Sequence, residues 1–155
     1  MATAYLGLGS NLGDRRANLD AALEALRARS DVRVVAVSSF IETAPVGGPP
    51  GQGPYLNGAA AIETRLAPCE LLADLKAIEH ALGRREGPRW GERPIDLDIL
   101  LYDDIIMDTP ALVIPHPRLA GRRFALGPLA EIAPDARHPA TGRTVRQLLA
   151  EMEPA

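Results

Sequence analysis

The chain has 155 residues, 46% apolar and 24% charged, with a formal net charge of −3. That is the make-up of one soluble globular domain, here 1–155, long enough to bury a core. It excludes a global basic field for nucleic acid, an apolar run of membrane-spanning length, an internal disulfide (Cys69 is alone) and a Cys/His zinc cluster.

In chain order, TAYLGLGS (3–10) alternates like a strand. The next segment, Asp14 to Arg29, has Leu19, Ala22, Leu23 and Leu26 at helical spacing, with Asp14 placed to cap it. VRVVAVSSFIET (32–43) is β-branched and predicts a strand. Eight of the eleven residues in APVGGPPGQGP (44–54) are Gly or Pro, which makes a loop, and YLNGAAAIET (55–64) is the next strand. Pro68 opens a helix whose apolar face is Leu71, Leu72, Leu75, Ile78 and Leu82, and Gly83 stops it. The loop RREGPRWGERP (84–94) leads into the strand IDLDILLY (95–102). Asp103 and Asp104 mark a turn, and a short apolar piece precedes IPHPRLAGRRF (114–124). FALGPLAEIA and TVRQLLAEM read as helices. The order β-α-β, β-α-β predicts an α+β, ferredoxin-like βαββαβ sandwich, with C-terminal helices and a hairpin added. The two loops exceed the usual connection length, which points to function.

The strand 95–102 carries the chemistry. Side chains alternate, so Asp96 and Asp98 share one face while Ile95, Leu97 and Ile99 turn to the core. Two carboxylates roughly 6.5–7 Å apart at Cα repel each other unless a cation lies between them. Magnesium takes oxygen ligands, often one or two carboxylates plus phosphate oxygens. D-x-D alone is common by chance, and a polar outer face would account for it. The neighbours change this. Arg89 and Arg93 lie just upstream with Trp90, and a further arginine group is Arg118, Arg122 and Arg123. Sixteen Arg against one Lys is partly composition, but guanidinium groups grip phosphates bidentately. GLGSNLGDR (7–15) is glycine-rich yet matches neither the dinucleotide nor the P-loop pattern. His116 stands between two prolines with no triad partner, so it reads as a positioned contact and not as a general base.

YLGLGSNLGDR, ETAPVGGPPGQGPYLN, EHALGR, RWGERPIDLDIL and IPHPRLAGRRFALGPLAEIAPD, in that order, together resemble the 6-hydroxymethyl-7,8-dihydropterin pyrophosphokinases of folate biosynthesis. The resemblance runs nearly end to end, and R-W-G-x-R-x-x-D-x-D-I-L is its most specific part. It implies transfer of a diphosphate from ATP, the co-substrate, to the pterin hydroxymethyl group, with release of AMP. It implies that Asp96 and Asp98 hold two Mg²⁺ ions, and that Arg93, with Arg84 or Arg85 or both, serves catalysis from a mobile loop. Arg89, Trp90, Ile99, His116 and Arg122 would contact ATP. Thr43, Pro45, Val46, Tyr55 and Asn57 would line the pterin pocket, with Trp90 and Phe124 sandwiching the ring. The implied partners are these two small molecules, with no nucleic acid and no membrane. A monomer is expected, with a dimer left open. The N-terminus has no basic stretch ahead of a long apolar one, so a cytoplasmic protein without a signal peptide is expected.

The chain departs from the family pattern in places. The segment between Gly83 and Trp90 is one residue shorter than in many relatives, Glu92 stands where proline is usual, and Pro117 replaces a common tyrosine. TPALVIP lacks an arginine that some relatives carry. Two other readings remain: a different two-metal phosphoryl or nucleotidyl transferase on the same fold, and a non-catalytic small-molecule-binding regulatory domain.

Overall fold

The structure, a computed structural model, describes residues 1–43, 54–83 and 94–152. Its elements are β1 (Ala2–Ser10), α1 (Arg15–Arg27), β2 (Val32–Val37), β3 (Ile41–Thr43), β4 (Tyr55–Thr64), α2 (Pro68–Ala81), β5 (Asp96–Tyr102), β6 (Met107–Asp108), β7 (Val113–Ile114), α3 (Arg123–Ile132) and α4 (Val145–Glu151). A short 3₁₀ turn, Leu119–Gly121, precedes α3.

Local chemistry sets the helix boundaries. The Asp14 carboxylate accepts from the Ala17 N–H at 3.0 Å and caps α1. Pro68 occupies the first turn of α2, where its missing N–H costs nothing, and Gly83 follows the helix at φ +99°. Thr144 and Gln147 close α4 with a reciprocal capping box.

The main sheet runs β2-β4-β1-β5, with all pairs antiparallel. β3 lies end to end with β2 along the same side of β4. This is the ferredoxin-like order. The expected single strand 32–43 is instead two strands, broken at Ser38–Phe40. Ser38 N–H donates to the Ala59 carbonyl at 2.9 Å, but Ala59 N–H donates to the Ser38 hydroxyl at 2.8 Å, so a side chain takes over a ladder position. Beyond it the Phe40 ring packs over Gly58, where a Cβ would come within 2.4 Å of the ring.

One core lies between the sheet and α1/α2. Leu6, Leu19, Leu26, Ile62, Leu71, Leu75 and Ile78 fill it, each at most 2% exposed. The order of elements places helices on this face. The opposite face is covered too: α3 and α4 bring Leu126, Leu129, Val145 and Leu148 against Ala59, Leu100 and Leu101. A register shift in the β1/β5 ladder between Tyr5 and Leu6 lets Leu100 and Leu101, neighbours in sequence, join the same cluster. The small β6/β7 hairpin is the predicted addition. No helix among the described residues is long and apolar enough to cross a membrane.

Candidate active site

The cleft forms at the end of the sheet where α3 and α4 no longer cover it. Gly9 on β1 pairs with Asp96 on one side and with Asn57 on the other, while Gly7 pairs with Asp98 and Ala59. The three central strands therefore present a row with polar side chains at its edges and a glycine floor between them. A Cβ at Gly9 would lie 2.9 Å from Asn57 Oδ1 and 3.3 Å from the Tyr55 ring, so the glycine is a requirement of space. Asp96, Asp98, Leu100, Asn57, His116, Arg122 and Phe124 line one cavity of about 400 Å³, counting its part open to solvent.

Each lining side chain is held from behind. Alternation puts Asp96 and Asp98 in the cleft and Leu97 and Ile99, 4% and 3% exposed, in the α1/α2 core. Asn57, 7% exposed, donates its amide N–H to the Thr43 hydroxyl at 2.6 Å, which joins two of the expected pterin residues across β3 and β4. Arg15 donates to Glu42 at 2.9 Å and to the Pro54 carbonyl at 3.0 Å, tying α1 to β3 and to the start of β4. His116 follows the β6/β7 hairpin. Its backbone N–H donates to Leu100 O at 3.0 Å, and its Nδ1 accepts from Arg118 N–H at 3.2 Å. That second bond fixes the neutral ring with its proton on Nε2, so the other nitrogen is a donor. Arg122 precedes α3, and its guanidinium lies 5.3 Å from the centre of the Phe124 ring, a cation–π contact.

The electrostatics are divided. Burial, then the charges of Arg122 and Arg118 against the opposing pull of Asp96, lowers the His116 pKa below its ordinary 6.5. Burial and Arg118 lower that of Arg122, while Asp98 and Asp96 oppose them; arginine nevertheless stays charged. One wall is thus anionic and the other cationic, across a gap that a metal–phosphate group would suit. The two carboxylates fit a hard, oxygen-seeking cation whose remaining ligands come from phosphate and water. No group of three or more candidate ligands occurs among the described residues.

The structure brings together Asp96, Asp98, Asn57, His116, Arg122 and Phe124, with Tyr55 and Thr43 packed alongside. Ile99 stands apart. Its side chain lies in the core on the far face, so the expected nucleotide contact is not available to that side chain. Arg84, Arg85, Arg89, Trp90, Arg93, Pro45 and Val46 lie outside the described residues. The sequence reading left the floor residues Gly7 and Gly9 without a site role, although alternation with Asp96 and Asp98 across one ladder would have found them. It also passed over Glu79, whose signal was an acid set among the apolar positions of α2.

Residues 5–134 match the family model described as 7,8-dihydro-6-hydroxymethylpterin-pyrophosphokinase. The chain is 46% identical over 146 residues to the 2-amino-4-hydroxy-6-hydroxymethyldihydropteridine pyrophosphokinase of Pseudomonas aeruginosa, covering 94% of this chain and 89% of that one. It is 47% identical to the enzyme of the same name from Methylorubrum extorquens, over 100% and 96% of the two chains. Among solved structures, Plasmodium falciparum HPPK-DHPS with pteroate superposes with a TM-score of 0.77 at 14% identity. That likeness speaks for the fold; it covers 97% of this chain and 44% of the other, so this chain spans less than half of the solved one. With the family model matched over most of its length and relatives close to half identical, the chain belongs to the 7,8-dihydro-6-hydroxymethylpterin pyrophosphokinase family.

Proposed function

We propose that this pyrophosphokinase moves the terminal diphosphate of ATP onto the hydroxymethyl oxygen of 6-hydroxymethyl-7,8-dihydropterin, releasing AMP, and that the cleft over Gly7 and Gly9 is where it does so. One observation carries the reading. A carboxylate pair, a donor histidine, an arginine, a buried amide and an aromatic ring all line a single cavity. The reaction forms a bond between the hydroxymethyl oxygen and the β-phosphorus while the bond from that phosphorus to the α-phosphate oxygen breaks. It depends on alignment and charge neutralisation more than on a strong base.

In this reading Asp96 and Asp98 hold two Mg²⁺ ions. When bound, the ions neutralise the triphosphate and orient it for in-line displacement. His116 Nε2 donates to a phosphate oxygen, and Arg122 supplies fixed positive charge on the same side. Asn57, oriented by Thr43, reads the amide-like edge of the pterin, and Phe124 offers a face for its ring. Arg93, with Arg84 or Arg85, adds charge during transfer, and Arg89 and Trp90 complete the nucleotide contacts. The family's signature stretch, 89–100, supports the assignments of Arg89, Trp90 and Arg93, and the wider resemblance that of Arg84, Arg85 or both. The reading includes a single-domain monomer working in the cytoplasm.

The test is a product assay with ATP, Mg²⁺ and the hydroxymethyl-dihydropterin. AMP and the diphosphorylated pterin should appear in equal amounts. Release of ADP, or of free pyrophosphate with a nucleotidyl product, would point to another transferase.

A further inference from the structure

Glu79 is the one charged side chain among the described residues that the fold buries, at 4% exposure. It lies in α2, whose other buried residues are Leu71, Leu75 and Ile78. A carboxylate in such surroundings is costly unless hydrogen bonds compensate it. Its Oε2 accepts from the backbone N–H of Leu97 at 2.7 Å. Leu97 is the residue between Asp96 and Asp98. Among the described residues β5 is the edge strand of the sheet, with a ladder partner only on the β1 side. An edge strand has half of its amides without a ladder partner and is correspondingly free to twist. Glu79 removes that freedom at the one amide flanked by both cleft aspartates.

We infer that Glu79 is a positioning residue for the cation site: by bonding Leu97 N–H it fixes the twist of β5, and thereby the separation and aim of the Asp96 and Asp98 carboxylates. The inference rests on the reading that those aspartates hold Mg²⁺. Glu79 acts through the backbone from the opposite side of the strand, and the bond to Leu97 N–H requires an acceptor atom there. Groups that orient metal ligands typically change metal affinity or activity about 10- to 100-fold when removed.

Glu79→Gln and Glu79→Met separate the acceptor from the charge. Glutamine keeps a carbonyl oxygen, whereas methionine keeps the length and bulk with no comparable acceptor. Mn²⁺ binding in the presence of a non-hydrolysable ATP analogue, followed by electron paramagnetic resonance, reads the site directly. AMP formation against Mg²⁺ concentration gives a second reading. Glu79→Gln should stay within about twofold of the wild type, while Glu79→Met should weaken Mn²⁺ binding and raise the half-saturating Mg²⁺ at least about tenfold. Unchanged cation binding in folded Glu79→Met, or equal loss in both variants, would overturn the inference. If Glu79→Met fails to fold, hydrogen exchange at the Leu97 amide decides. Protection in both the wild type and Glu79→Gln supports the bond, and rapid exchange in either overturns it. Asp98→Ala serves as the control: full cation binding there would sink the aspartate reading itself, whatever Glu79 does.

Discussion

The two faces of the sheet are built from the same strands to opposite ends. On the α1/α2 side, β1, β4 and β5 contribute Leu6, Leu8, Ile62, Leu97 and Ile99, and the apolar layer is continuous from end to end. On the other side the same strands begin alike, with Ala59, Leu100 and Leu101 under α3 and α4, and then change to Gly9, Asn57, Asp96 and Asp98. The change happens within two residues on each strand. A face covered throughout can only stabilise, whereas a face left half covered supplies a rigid floor on which expensive polar groups can be held in fixed positions.

Substitutions on the two faces should therefore fail in different ways. The largest effect is expected at Asp98→Ala, with a loss of turnover of about 1,000-fold and little change in melting temperature, measured as AMP release beside a thermal melt. Near-normal AMP release would break the contrast. Leu75→Ala, at a fully buried position on the covered face, should cost about 2–5 kcal/mol in denaturant unfolding. Its turnover at a temperature where it stays folded should match the parent; a selective loss of turnover would mean that the faces are not independent. Gly9→Ala sharpens the picture inside the cleft. The added methyl would displace the Asn57 amide, and pterin KM should rise about tenfold while ATP affinity holds. Equal losses for both substrates would show a general collapse of the floor.

The smallest effect concerns pH. Folding lowers the pKa of His116, and that of His138 as well, so below their ordinary value of 6.5 the unfolded chain takes up protons that the folded chain resists. Stability of the ligand-free protein should be flat in this respect above about pH 6.5 and should fall as the pH drops through that value. His116→Gln should make the decline shallower. A decline of the same slope would place its cause in other groups.

Much of this contrast was legible in the sequence because strand alternation is a strict rule. It put Asp96 and Asp98 opposite Leu97 and Ile99, and the structure agrees. Asp14 and Pro68 were readable for the same kind of reason, since caps are local chemistry. The break at Ser38–Phe40 was not, because it depends on a hydroxyl meeting Ala59, twenty-one residues away. Nor was the register shift beside Leu100, which carries no Gly or Pro to announce it. The C-terminal helices were readable but their placement on the second face was not, because helical periodicity shows that a face is apolar without showing which side of a sheet will receive it. Ile99, expected at the nucleotide by resemblance, has its side chain in the core, as the residue's own alternation required.

Thr43 pairs with Tyr55, and Arg15 grips both Glu42 and the Pro54 carbonyl. The ends of the segment between residues 43 and 55 are thus fastened to each other and to α1, independently of what lies between them. Loop closure entropy grows only slowly with length. Evolution can therefore lengthen, shorten or rewrite that segment at small thermodynamic expense while the amide of Asn57 stays where it is. This fold can vary that segment without re-engineering the glycine floor of the cleft.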